Sequence, residues 1–147
     1  MRLPVRHCPV GLLAITLLFT PAASARTLRG IVTDVPTADV IHIEHEFGIN
    51  VIQVWGVQIP AGTKIAKEAS DLVKKLAMGK AIRVRHKSVV QGVIVGRVLV
   101  GDDDPVVDVA VELLRAGLAT RSSVESEALD AAESEARSAR RGVWAAK

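Results

Sequence analysis

Three groupings of side chains in this sequence have types and spacing suited to chemistry. Arg83, Arg85 and Lys87 alternate with Val84 and His86, so the period of a strand puts three cations on one face. Such a row can track phosphates. With no aromatic in the row, it reads better as a solvated outer face or an edge protected by charge. His42, Glu44, His45 and Glu46 bring together imidazoles and carboxylates, the donor types of a zinc site, with His42 and Glu44 on one strand face. No second cluster elsewhere in the sequence supports them, so a polar hairpin is the better reading. Asp102-Asp103-Asp104 lacks the downstream glycine and glutamate of a calcium loop, and with Pro105 it marks a turn. His86 is isolated. Trp55 and Trp144 lie inside apolar patterns and are expected in the core.

These residues need elements to hold them. Arg26 to Asp34 predicts a first strand, and Asp34 to Asp39 a turn. A second strand starts at Val40, Phe47-Gly48 turns, and Asn50 to Val57 makes a third strand that stops at Pro60. Short turns between them predict an antiparallel meander. Thr63 to Met78 switches to helical spacing, with Ile65, Ala69, Leu72, Val73 and Leu76 on one face and lysines on the other. Gly79 fits the position just past the helix end. Two more strands follow, Ala81 to Lys87 and Val93 to Val100. Asp108 is the expected N-cap of a short helix, Val109 to Ala116, closed by Gly117. Ser122 and Ser123 can cap a last helix from about Glu125 to Arg140, ended by Gly142 with Trp144 as a plug. Five strands with a helix between the third and fourth is the order of an oligonucleotide/oligosaccharide-binding barrel (OB-fold), here with three helices.

Composition narrows the class. A length of 147 residues suits one domain, and 49% hydrophobic with 24% charged residues is globular. One cysteine, Cys8, excludes an intramolecular disulfide. Aromatics at 3% and the absence of tyrosine argue against a stacking platform for bases or sugars. Arg2 and Arg6, the apolar run Val10 to Thr20, Pro21, and Ala23-Ser24-Ala25 follow the pattern of an export signal over residues 1–25. The run is about half the ~20 residues a membrane span needs, so no stable membrane insertion is expected after cleavage. Cys8 precedes the run, which argues against a lipoprotein anchor. Cleavage at Ala25 leaves one domain, residues 26–147, with 17 basic and 16 acidic residues. A net charge of +3 falls to +1 and does not by itself point to a nucleic-acid partner. The product is expected outside the cytoplasm, periplasmic or secreted.

The remaining chain resembles the staphylococcal nuclease (thermonuclease-like) family over nearly its whole length. The clearest part is Val109-x-x-x-Leu113-Leu114-x-x-Gly117-Leu118-Ala119, then Leu129-x-x-Ala132-Glu133-x-x-Ala136-Arg137-x-x-x-Arg141-Gly142-x-Trp144. Val54-Trp55-Gly56-Val57-x-x-Pro60, Glu68-Ala69, Leu72 and Gly79-Lys80 add to it. The resemblance implies a five-stranded barrel with three helices. It also implies, for active members, calcium-dependent cleavage of DNA and RNA by carboxylates, a glutamate that positions water, and two arginines.

The same resemblance assigns the site here. The family's Asp-Gly-Asp-Thr turn falls on Thr37-Ala38-Asp39-Val40, so one metal carboxylate is kept as Asp39. The strand arginine falls at Gln53, the second metal carboxylate at Gln58, its threonine at Ile59 and the glutamate at Ala61. The second arginine falls at Val93. An alignment slip does not restore them, since nothing acidic lies between Phe47 and Lys67 and no arginine between Gly30 and Arg83. Asp39 with the amide of Gln58 makes a poor calcium site, because affinity follows ligand charge and number. Arg97, four residues after Val93 on the same strand face, and Lys64 and Lys67 after Pro60 are the nearest replacement cations. Each reads more simply as a surface residue.

The expected function is therefore an exported, non-catalytic binding or interaction module. It needs no cofactor and holds a protein or small ligand on the barrel face. The alternative is a calcium-dependent nuclease with an atypical site. Arg83, Arg85, Lys87 and Arg97 are the candidate contacts for nucleic acid bound without cleavage.

Overall fold

The structure is a computed structural model that describes residues 26–62, 64–102 and 104–145. The export signal assigned to residues 1–25, Cys8 included, the helix start at Thr63, and Asp103 lie outside the described residues. Five strands form the barrel: β1 (Thr27–Thr37), β2 (Val40–His45), β3 (Gly48–Val54), β4 (Ala81–Val90) and β5 (Val93–Val100). Three helices accompany them: α1 (Lys64–Ala77), α2 (Val109–Arg115) and α3 (Glu127–Ser138), with a 3-10 turn over Gly142–Trp144.

Strands β1, β2 and β3 form the expected antiparallel meander, and β1 also pairs with β4, and β4 with β5. A parallel pairing of β3 with β5, Ile52 opposite Ile94 through Val54 opposite Gly96, closes the cylinder. The chain is thus an OB-fold barrel with three helices. Period-two alternation sets the faces. Val32, Ile41, Ile43, Ile52, Val84 and Val98 point inward and are fully buried. The outward row Val40, Gln53, Val95 crosses β2, β3 and β5. Gly96 is required on the inner face, where a Cβ would lie 2.6 Å from the Val84 side chain.

Several element boundaries differ from expectation, β3 closing at Val54 rather than Val57 and β4 running on to Val90 rather than Lys87. Strand β1 runs on to Thr37 instead of turning at Asp34, because register shifts between Val32 and Asp34 and between Asp34 and Thr37 accommodate the Pro36 segment. Helix α3 starts at Glu127, behind Ser126, rather than after Ser122. The Ser122 amide is instead drawn to the Gly56 carbonyl at 3.1 Å, next to the short pairing of Val57–Gln58 with Thr120–Arg121. Its other end is closed by Arg140 at a φ of 51°, not by Gly142.

Ala69, Val73 and Ala77 of α1, Leu113 and Leu114 of α2, and Leu129 and Ala132 of α3 join the barrel residues in one core. Among the described residues, the buried apolar residues run from Val32 to Ala136. Asp108 caps α2 as the sequence predicts, its Oδ1 accepting from the Ala110 amide at 3.0 Å. Ion pairs lock α3 to its neighbours. Glu135 accepts from Arg141 at 3.0 Å and from Arg115 at 3.1 Å. These bonds, that of Arg141 foremost, hold its carboxyl below the usual range. Buried Glu133 takes the Arg121 amide at 3.0 Å. Trp144, expected in the core, is instead half-buried outside the core cluster and lies under the Arg137 guanidinium, 4.1 Å from its ring centre. Among the described residues, no helix is long and apolar enough to cross a membrane.

Candidate functional site

Asp39 sits in the two-residue turn between β1 and β2. Its carbonyl accepts from the Val54 amide at 2.8 Å, which ties the turn to the end of β3. Its carboxylate is engaged as well, with Oδ1 accepting from the Thr37 hydroxyl at 2.8 Å. The 59–62 loop and the first turns of α1 complete a cleft of about 290 Å³ lined by Thr37, Asp39, Ile59, Ala61, Ala66 and Ser70. The fold therefore brings Asp39, Ile59 and Ala61 together.

The other assigned positions lie around this cleft rather than in its lining. Gln53 is exposed on β3, opposite Val40 and Val95. Gln58 is exposed, and its main-chain oxygen accepts from the Thr120 hydroxyl at 3.5 Å. Val93 is half-buried at the start of β5, opposite Val90. Side-chain oxygens of the lining come from Thr37, Asp39 and Ser70, with a single carboxylate and no cation. Calcium takes about six to eight oxygens, several of them charged, so this donor set does not fit it. Lys64 pairs with Glu68 along α1 at 3.6 Å, and Lys67 is exposed.

The basic row on β4 is only partly as the alternation implies. Arg83 and Arg85 face outward, but a bulge between His86 and Ser88 leaves Lys87 without a cross-strand partner. Its ammonium lies 4.8 Å from the centre of the Trp55 ring, just past the end of β3. The row thus does have an aromatic neighbour, supplied by another strand. Trp55 itself is only half-buried against the core. Arg97 is paired with Asp108, its Nε donating to Oδ2 at 2.5 Å. Linear reading finds the cap role of Asp108 but not this second role, since Arg97 and Asp108 meet only once the chain turns back.

The histidine-rich hairpin has internal uses. His45 Nδ1 accepts from the Phe47 amide at 3.1 Å, and His42 Nδ1 lies 3.9 Å from Asp34 Oδ2. Glu44 stands between Ile31 and Ile49 on the outer face. Among the described residues, no three His, Cys, Asp or Glu side chains converge as a metal site requires.

The staphylococcal nuclease homologue family model matches residues 49–146. The match starts in β3 and takes in all three helices, leaving out β1 and β2 with the Asp39 turn. No curated protein matches the chain.

Proposed function

The chain belongs to the staphylococcal nuclease homologue family, and we propose that it is an exported, non-catalytic member that uses its barrel surface to bind a partner. One observation carries this reading. The Asp39 cleft presents one carboxylate, already bonded to Thr37, among Ile59, Ala61 and Ala66, with no cation in its lining. Metal-assisted phosphodiester cleavage needs anionic oxygens to hold the ion and cations where charge develops on phosphorus. Gln53, Gln58, Ala61 and Val93 provide neither. Barrels of this class bind along their second and third strands. Here that face offers Gln53 beside Val40 and Val95, with Ile49 and Phe47 strongly exposed at its end. These groups, uncharged apart from Glu44 opposite Ile49, suit a protein or small organic ligand better than a bare phosphate chain.

The test is a nuclease assay on purified residues 26–147 with millimolar calcium, against single-stranded DNA and RNA, with Asp39→Ala in parallel. The expected result is no cleavage above background by either protein. Cleavage by the parent that Asp39→Ala abolishes would overturn the proposal. Cell fractionation and N-terminal sequencing test the export half, which predicts a periplasmic or secreted product starting at Arg26.

A further inference from the structure

The outer faces of β1, β4 and β5 carry four arginines in two cross-strand rows. Arg29 stands opposite Arg83, and Arg85 opposite Arg97. Like charges placed directly opposite destabilise a sheet, so the arrangement is not there for strand pairing. Two carboxylates offset part of the charge. Asp102 lies 3.9 Å from Arg29 and 3.5 Å from Arg83, and Asp108 holds Arg97. The other oxygen of Asp108 caps α2. Arg85 has no ion pair among the described residues and is exposed. Arg83 Nε is the atom that faces Asp102, in an ion pair without hydrogen-bond geometry, while its Nη2 donates to the Gly101 carbonyl at 3.1 Å.

Three of these arginines and Asp108 line a cleft of about 230 Å³, together with Leu99 and Val106: the arginines are Arg83, Arg85 and Arg97. It shares no lining residue with the Asp39 cleft. We propose that it is a binding site for a dianionic phosphate group carried on a small organic molecule or free in solution. Three guanidinium groups against one carboxylate leave two positive charges unbalanced in its lining, which a dianion matches and a monoanion does not. Guanidinium forks suit the oxygens of phosphate, each accepting paired N–H donors. The volume is several times the roughly 30 Å³ that one water occupies in the liquid, which leaves room for an attached carbon arm. Leu99 and Val106 give that arm an apolar wall. The Arg97–Asp108 pair holds one side of the cleft in place, and Arg85 supplies the uncommitted charge.

The test titrates residues 26–147 with inorganic phosphate, and separately with phenyl phosphate, against chloride at matched ionic strength. Binding is read by calorimetry and thermal shift. Arg85→Gln is the informative variant, because Arg85 is exposed, has no ion pair among the described residues, and its loss leaves the core intact. Lys74→Gln on α1 makes the same change in net charge elsewhere. Phosphate is expected to bind and stabilise the parent and Lys74→Gln, with affinity falling about tenfold in Arg85→Gln. Tighter binding of phenyl phosphate than of inorganic phosphate supports the site with a phosphorylated organic ligand. Equal binding supports it with free phosphate. No stabilisation beyond chloride, or stabilisation that survives Arg85→Gln unchanged, overturns the proposal.

Discussion

Asp108 does two jobs with its two oxygens, and the jobs can be separated. Oδ1 caps α2 through the Ala110 amide, and Oδ2 takes Arg97. Asp108→Ala removes both. Loss of an N-cap costs about 1 kcal/mol. Breaking a fully buried ion pair costs about 3–5 kcal/mol, because the surviving charge is stranded. The Asp108 side chain is 9% exposed, but that of Arg97 is 32% exposed. Water therefore reaches the stranded guanidinium, and the pair term is reduced to about 1–2 kcal/mol. The total for Asp108→Ala is about 2–3 kcal/mol, or a melting point lower by about 8–12 °C for a domain of this size. Asp108→Asn keeps a good cap and loses the charge, so it should cost only the pair term, about 1–2 kcal/mol. Urea unfolding followed by Trp55 and Trp144 fluorescence measures both. The slope with denaturant should stay constant so that the midpoints can be compared. In the background of Arg97→Gln, Asp108→Asn should cost much less than it does alone. Equal losses for the alanine and asparagine variants would refute the cap. A loss under about 0.5 kcal/mol for Asp108→Ala would refute both roles.

Two further outcomes are open to measurement. Gly56 has a φ of +90°, and a Cβ there would lie 2.4 Å from Leu129 Cδ1. Gly56→Ala should therefore destabilise by about 2–4 kcal/mol through left-handed strain and the clash. Because the clash needs both side chains, Gly56→Ala with Leu129→Ala should cost less than the sum of the two alone in thermal melts; strict additivity would exclude the contact. Glu135 titrates below its ordinary 4.5 because Arg141 and then Arg115 hydrogen-bond to the ionised form. A depressed carboxylate contributes stability that is complete above its unfolded value and is lost as pH falls through the folded one. Melting temperature should therefore fall as acid is added below pH 4.5, and Glu135→Gln should flatten that limb; an unchanged acid limb in the variant would count against the network.

Much of the fold is legible because its signals are local. The helical spacing of Ile65, Ala69, Leu72 and Val73 and the alternation in Ala81 to Arg85 each need only one turn or one pleat to express themselves. Asp108 as a cap is equally local, acting two residues along the chain. The same holds for the family motifs, which lie in contiguous stretches of the closing helices. Element ends were less legible. The extension of β1 past Asp34 depends on bulges opposite β2, and the late start of α3 depends on Ser122 reaching Gly56.

Five strands, three helices, their order, and the neutral character of Gln53, Gln58, Ala61 and Val93 are all legible along the chain. What those groups and the cations meet depends on how the chain closes on itself. Barrel closure is a parallel pairing of β3 with β5, between segments some forty residues apart. That closure puts Trp55 under Lys87, giving the basic row an aromatic that its own strand lacks. The return of the chain after β5 gives Arg97 to Asp108 and leaves Arg85 without a counter-charge among the described residues. Secondary structure follows from each residue's near neighbours, whereas charge balance in a site depends on groups that only chain closure brings within a few ångströms.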